Sequence, residues 1–352
     1  MRSAVTLKDV AKLAGVSAKT ASRVINDDPA VTEKTAARVR TAIDALAYTP
    51  NPHARSLRTG RDQAVALVVD SISDPFFAAV AEGVEQVARE AGFFLIVAHA
   101  GDSPAREREV VDSLLHRSIS GLILVPSLLN FGSGRRPLGP GGVPVVAVDR
   151  PLENLDVDTV LVDNALASHQ AVAHLIAHGH TRIGFLGNTV ARFTVRERLA
   201  GYRRALEEAG LAFDESLVAL SSYKGRVDET LFDPLVHGPD PVTALFSSDA
   251  VTTMDIVRLL HGVGRTDIAF VGFDDFVTAD SLVPPVSVVR QDAQLMGRTA
   301  AQLLLRRVNG DQSPPQRIML DTTFVARGSG EIRAREVSRR SMRSNKEEDN
   351  DR

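Results

Sequence analysis

The 352-residue chain contains no cysteine, so neither a disulfide framework nor a thiolate metal site is available to it, and a reducing compartment suits it. Nowhere does it hold the roughly 18 consecutive apolar residues of a membrane-spanning helix. Met1-Arg2-Ser3-Ala4 leads into an amphipathic pattern rather than the apolar stretch of a signal peptide, so the expectation is a cytoplasmic protein with no membrane partner. A P-loop, a nucleophile elbow and an HExxH motif are also missing. Gly139-Pro140-Gly141-Gly142 lacks the strand-to-helix context of a nucleotide fingerprint, so no enzyme activity and no cofactor is expected. His174 and His178 have the i, i+4 spacing of metal ligands, with His180 close by. Gly179 reads as the end of a helix, however, so capping or surface roles are expected and no metal site. No short-period repeat is present.

With 44% hydrophobic and 24% charged residues, the chain can bury the cores of two or three domains. The net charge of −3 is unevenly spread: residues 1–61 carry eleven Lys or Arg against five acids, leaving the remainder at −9. A basic head on an acidic body is the footprint expected of phosphate binding.

The head shows three short helix patterns. Thr6 has Asp9 three residues on, as in a capping box, and Leu7, Val10, Ala11 and Ala14 share one face before Gly15. Ser17 caps a second helix over about 18–25, in which Ala21, Val24 and Ile25 face inward while Ala18, Lys19, Ser22 and Arg23 stay outside. Thr32 caps a third, with Val39, Ile43 and Leu46 completing a small core. Two helices joined by a tight Gly turn make a helix-turn-helix, whose second helix presents its first residues to base edges in the major groove. Those residues are Ala18, Lys19 and Arg23, with Ser17, Thr20 and Ser22 placed to donate to phosphates. Residues 51–61, with Asn51-Pro52 at the start and Gly60 at the end, read as a linker containing a helix too short to be stable alone.

From residue 62 apolar runs alternate with amphipathic helices, the mark of parallel sheets covered by helices. Strands are expected at 64–69, 93–98, 122–125 and 143–148, then in a second series at 182–186, 242–247 and 268–273. Two such series imply two similar lobes with a cleft between them. The lobes are expected at about 62–162 plus 293–320 and at 163–292 plus 321–330, with a Gly/Pro/Ser-rich loop at 127–142. Residues 331–352 read as a charged, disordered tail.

The stretch Thr6-Leu7-Lys8-Asp9-Val10-Ala11-Lys12-Leu13-Ala14-Gly15-Val16-Ser17, followed by Thr20-Ala21-Ser22-Arg23-Val24-Ile25-Asn26, closely resembles the head of the lac repressor (LacI/GalR) family of transcriptional regulators. The resemblance continues through Asp74-Pro75-Phe76-Phe77, Gly179-His180, Arg198-Leu199-Ala200-Gly201-Tyr202, Val271-Gly272-Phe273-Asp274-Asp275 and Arg327-Gly328-Ser329, covering residues 5 to about 330. It implies a helix-turn-helix head (residues 1–50), a hinge (51–61) and a body like periplasmic binding proteins (62–330). It also implies a homodimer on a roughly palindromic double-stranded DNA operator, associated with the nucleoid.

By position in the family, Ala18 and Lys19 are the variable base readers and Arg23 the constant one, with Thr6 and Asn26 in the same DNA-binding set. Leu57 is implied as a wedge into the minor groove, flanked by Arg55 and Arg58 on phosphates. Phe76, Phe77, Ser127, Arg192, Thr194, Arg198, Ser248 and Asp274 fall where the family places its effector pocket. Arg198 and Asp274 either bracket a ligand or form an interlobe ion pair, and a sugar and a nucleoside or nucleobase are both compatible with the set. The chain departs from the family pattern at Ser247-Ser248-Asp249-Ala250-Val251-Thr252-Thr253 and over 261–267. An extracytoplasmic solute-binding protein would account for two lobes but not for the basic head.

Overall fold

A computed structural model describes residues 5–25, 28–48, 63–101, 103–127, 138–139, 141–152, 155–221 and 226–334. The chain divides into two compact units, Met1–Gln63 and Ala64–Arg352.

The first unit contains α1 (Leu7–Ala14), α2 (Ala18–Ile25) and α3 (Glu33–Ala45). The Asp9 carboxylate accepts from the Thr6 amide (2.9 Å) and hydroxyl (2.7 Å), anchoring the first turn of α1. Gly15 ends the helix in the left-handed region (φ 60°), a conformation glycine adopts without steric cost. Ser17 Oγ accepts the Thr20 amide at 3.1 Å and starts α2 in a new direction. Arg38 of α3 closes the turn by donating to the carbonyls of Ala14 and Gly15. Val10, Ala11, Ala14, Ala21, Val24, Ala36, Val39 and Ala42 form the core, with Ile43 and Leu46 packed at its edge. Small residues at this core let three short helices approach closely.

The second unit holds two six-stranded sheets. The first has the order β11-β5-β4-β3-β1-β2, from β1 (Ala64–Val69), β2 (Phe94–His99), β3 (Gly121–Leu124), β4 (Val145–Val148), β5 (Asp158–Val162) and β11 (Arg317–Leu320). The second has the order β12-β10-β9-β8-β6-β7, from β6 (Ile183–Gly187), β7 (Val218–Leu220), β8 (Ala244–Ser247), β9 (Ala269–Phe273), β10 (Ser287–Gln291) and β12 (Thr322–Val325). Helices α4 (Pro75–Glu90), α5 (Pro104–His116), α6 (Asn164–Ala177), α7 (Phe193–Glu208), α8 (Glu229–His237), α9 (Ala250–Gly262) and α10 (Ala293–Val308) cover the faces. Each expected strand is found within one or two residues. β5, β10 and the edge strands β7, β11 and β12 were not among those expected.

All pairings are parallel except β10 with β12. That exception has a simple origin: only Asp321 separates β11 from β12, so the chain runs on from one sheet into the other and meets β10 in the opposite sense. The remaining two passages between lobes also occur at aspartates. Asp163 follows β5 and caps α6 by accepting the Leu166 amide, and Asp292 follows β10 and caps α10 by accepting that of Leu295. Each of these helices packs in the lobe opposite the strand it leaves: α10 lies on β3, β4 and β5, and α6 on β8, β9, β10 and β12.

Residues 331–334, expected as the start of a tail, make defined contacts, and 335–352 lie outside the described residues. Glu331 accepts from Ser287 (2.8 Å) and the Gly328 amide (2.6 Å) and pairs with His174 (2.7 Å), while Ala334 donates to the His178 carbonyl. His180, expected at a cap or on the surface, is buried: Nε2 donates to the Ile332 carbonyl and Nδ1 faces the Thr243 hydroxyl. Burial pulls its pKa down, which favours this neutral form.

Candidate functional site

In the head, Ser17, Ala18, Lys19 and Arg23 lie exposed along α2, with Thr20 and Ser22 half-buried beside them. The face is small, polar and basic, and nothing in the head core depends on it. Arg23 reaches Asp28 at 3.4 Å with its side chain half exposed. Such a pair is worth less than about 1 kcal/mol, so a phosphate or guanine edge can displace it. The Thr6 hydroxyl is held by Asp9 and the Ser17 hydroxyl by that of Thr20, so both serve helix starts in the free protein. Asn26, Arg55, Leu57 and Arg58 lie outside the described residues.

In the body, polar side chains gather at the C-terminal ends of the central strands of both sheets, where open parallel sheets bind ligands. The two sheets repeat each other there. Asp70 follows β1 as Asn188 follows β6, and Asp149 follows β4 as Asp274 follows β9. Asp149 (φ 67°) and Asp274 (φ 69°) both take the left-handed conformation that aspartate tolerates better than most residues. Each returns its amide to the adjoining strand, to Val160 and Val289 respectively, so the carboxylates are held by equivalent backbone turns.

The charges on the two walls differ. In the first lobe, Arg150 pairs with Asp70 (2.8 Å) and Asp149 (3.1 Å), all three buried. Burial opposes the guanidinium charge, but the two carboxylates outweigh it and hold the pKa above its usual value. In the second lobe, Arg198 donates to Asn164 Oδ1 (2.7 Å) and to the Ser248 carbonyl, and lies 3.5 Å over the Phe273 ring. Burial lowers its pKa, offset only in part by Asp274, Asp149 and Asp249. Asp274 accepts from Gln291 Nε2 (2.7 Å), and burial pushes its pKa up to about 6. Asp74, at the N-terminus of α4, is pushed up to about 7 by burial and by the charge of Asp274.

The expected effector residues therefore divide. Asp274 and Arg198 are buried in the polar cluster, but no ion pair joins them, and both belong to the second lobe. The interlobe pair is instead Arg192 with Asp70, at 3.4 Å. Thr194 is buried in the first turn of α7, and Ser127 donates its amide to the buried Glu107 (2.6 Å). Ser248 contributes its carbonyl to Arg198, while its hydroxyl donates to Asp249. Phe77 belongs to the core of the first lobe and packs edge-on against Phe76 at 5.2 Å, whereas Phe76 also lines a cavity in the cleft. Of the two rings, Phe76 is the one that lines this cavity.

Asp70, Asp149, Arg150, Asn164 and Gln291 join the cluster without having been expected. The available signal was positional: each sits at, or one or two residues past, the end of a sheet strand. Among the described residues no helix is long and apolar enough to cross a membrane, and no group of three or more His, Cys, Asp or Glu is arranged to hold a metal ion.

Residues 6–51 match the family model of bacterial regulatory proteins, lacI family, and residues 172–330 that of a periplasmic binding protein-like domain. The HTH-type transcriptional regulator CelR of Thermobifida fusca is 35% identical over 92% of this chain and 98% of its own length. The chain belongs to the lacI family of bacterial regulatory proteins. It is a DNA-binding transcriptional regulator, and the resemblance read from its motifs is borne out. The HTH-type transcriptional regulator GalR of Escherichia coli is 31% identical over 92% of this regulator and 95% of its own chain. A solved CelR–cellobiose complex matches with a TM-score of 0.65 at 31% identity, over 92% of this chain and 99% of that one. The lac repressor dimer bound to operator and an anti-inducer matches with a TM-score of 0.78 over 94% and 100%; at 24% identity this shows the shared fold.

Proposed function

We propose that the regulator is a repressor that binds a roughly palindromic operator as a homodimer and is switched by a small polyhydroxylated molecule, a sugar or nucleoside, in the interlobe cleft. The observation that carries this reading is the buried polar cluster at the facing strand ends, which has the composition of a binding site and no catalytic arrangement. Arg198, Asp274 and Gln291 present donors and acceptors to ligand hydroxyls, Phe76 offers an apolar edge, and Arg192 with Asp70 spans the two lobes. A ligand contacting both walls favours one degree of closure, and closure is transmitted to the hinge at 51–61. The cellobiose held by the CelR structure makes a β-linked glucose disaccharide the first candidate. A nucleoside is the second candidate, with Arg192 of the interlobe pair and Thr194 in the first turn of α7 as its contacts. In the head, Ala18, Lys19 and Arg23 read bases, Ser17, Thr20 and Ser22 position on phosphates, and Leu57 wedges the operator centre between Arg55 and Arg58. On this reading the protein works in the cytoplasm, associated with the nucleoid.

Mobility shifts on fragments of the protein's own upstream region test the reading, with and without cellobiose and a nucleoside panel. Arg23→Ala is expected to lose discrimination of about 1–3 kcal/mol at one base pair while keeping the salt-dependent background. Operator binding that ignores every ligand while the body binds none of them would overturn the switch.

A further inference from the structure

The angle at which α2 leaves α1 is set between Ala14 and Ser17, where the backbone groups can be followed one by one. The Val16 amide donates to the Ala11 carbonyl (3.0 Å) and the Gly15 amide to that of Lys12 (3.3 Å), the paired closure of a helix that ends on a left-handed glycine. The Ser17 carbonyl accepts the Ala21 amide (2.9 Å) as the first bond of α2. Between these two sets lie the carbonyls of Ala14 and Gly15, which take no backbone amide among the described residues. Arg38 of α3 answers both: its Nη2 donates to Ala14 at 2.5 Å and to Gly15 at 3.2 Å.

That approach depends on Gly15 a second time. A Cβ at this position would lie 2.8 Å from Arg38 Nη2, so the residue whose φ of 60° ends α1 also leaves the opening through which the guanidinium enters. Arg38 itself is exposed and stands outside the core of the head, to which its neighbours on α3, Ala36, Val39 and Ala42, belong. Its guanidinium ties α3 to the turn and adds nothing to the apolar packing of the three helices.

The consequence falls on the residues that face the bases. Only Val16 separates Gly15 from Ser17, which starts α2 by accepting the Thr20 amide (3.1 Å), and Ala18 and Lys19 follow directly. Hydrogen bonds to base edges fail steeply with small errors of distance and angle, whereas attraction to phosphate charge extends over a Debye length of about 10 Å. A turn free to rotate would therefore cost sequence reading before it cost attraction to DNA. We propose that Arg38 is a positioning residue for sequence reading: by clamping the Ala14 and Gly15 carbonyls it holds the start of α2 in the orientation that base edges demand, without itself touching a base. The inference rests on the reading of α2 as the base-facing helix.

The full-length parent chain first selects duplexes from a random pool. Mobility shifts then compare a selected duplex with an unrelated one of equal length, over a range of salt. Arg38→Met is expected to lower the ratio of specific to non-specific affinity about tenfold, with the salt slope on the unrelated duplex unchanged. Arg38→Lys keeps the charge on a shorter side chain, so it should lower the ratio by less, about threefold, and it carries the test if Arg38→Met does not fold. A role confined to stability weakens both duplexes together and leaves the ratio alone, and a direct phosphate contact lowers the salt slope of Arg38→Met by about 0.9. Either outcome overturns the proposal, as does a ratio equal to the parent's in every variant that folds. A parent chain that selects no sequence removes the base-reading role of α2, and the proposal with it.

Discussion

The two lobes share one plan and use it for different ends. β1 to β5 with β11 and β6 to β10 with β12 have the same strand order, and Asp149 and Asp274 sit in the same left-handed turn at the same strand end. In the first lobe that aspartate is closed off: Arg150 holds it together with Asp70, and Arg192 supplies the second positive charge beside Asp70. In the second lobe a neutral amide donates to it and no ion pair holds it; Arg198, whose charge lowers its pKa, is turned onto Asn164, Ser248 and Phe273. The same turn is thus a structural anchor on one wall and a recognition group on the other. Repeating a backbone does not repeat its chemistry, because the side chains one or two residues beyond each strand decide the charge balance.

The strongest way to break this contrast is to open the anchored wall. Arg150→Met leaves the buried Asp149 without its ion-pair partner and Asp70 with Arg192 in place of two arginines, and is expected to cost about 3–5 kcal/mol in urea unfolding. Arg198→Met leaves no carboxylate within ion-pair distance uncompensated, so its loss should be clearly smaller. Equal losses would mean that the second wall is as much an anchor as the first.

The helix pairs give the next comparison. Gly83 on α4 and Gly297 on α10 meet reciprocally: an added Cβ at Gly83 would lie 2.2 Å from the Gln294 carbonyl oxygen, and one at Gly297 2.1 Å from that of Val80. In the second lobe Gly201 on α7 makes the equivalent contact, 2.1 Å from the Ala165 oxygen, but its counterpart on α6 is Ser168, which already has a side chain. Gly297→Ala is therefore expected to force α4 and α10 apart at about 1–3 kcal/mol, read as a fall in denaturation midpoint. Ser168→Gly, which makes the second lobe more like the first, should change stability by less than that. A Gly297→Ala protein as stable as the parent would show that the crossing yields easily.

How much of this was legible before the fold follows from the range of each interaction. The head was legible because its signals are local: Thr6 with Asp9, Gly15 and Ser17 act within one turn, and the inward residues repeat at helical spacing. Seven strands were legible as apolar runs, to within one or two residues, but β5 and β10 were not, although they are buried. β12 was not, because its sense depends on Asp321 joining two sheets. The cleft was half legible. Asp274 and Arg198 came through resemblance, but an aspartate after a strand reads alike whether it caps a helix, as Asp163 does, or pairs with a distant arginine, as Asp70 does with Arg150 eighty residues on. The burial of His180 and the contacts of Glu331 depend on the last strand returning beside α6, which no local pattern announces.

The smallest expected effect tests the unanchored wall through pH. Asp74 and Asp274 have folded pKa values raised to about 7 and about 6 from 3.8, chiefly by burial, and Asp249 and Asp149 add to the repulsion. A raised acid pKa means the folded chain holds the proton more tightly than the unfolded one. The stability gained from that proton is full below pH 3.8 and is lost as pH rises through 6 to 7. Between pH 5 and pH 8 these two groups therefore make the body less stable as pH increases. Asp74→Asn removes the larger share, so the fall in urea midpoint over that interval should shrink by the equivalent of about 1 kcal/mol, solvent screening having reduced the full effect. The corresponding change at the anchored wall, Asp149→Asn, should shrink that slope by less, because Asp149 supplies only one of the smaller repulsions that raise the two pKa values. A slope that responds to Asp149→Asn as strongly as to Asp74→Asn would place free charge on both walls and remove the distinction between them.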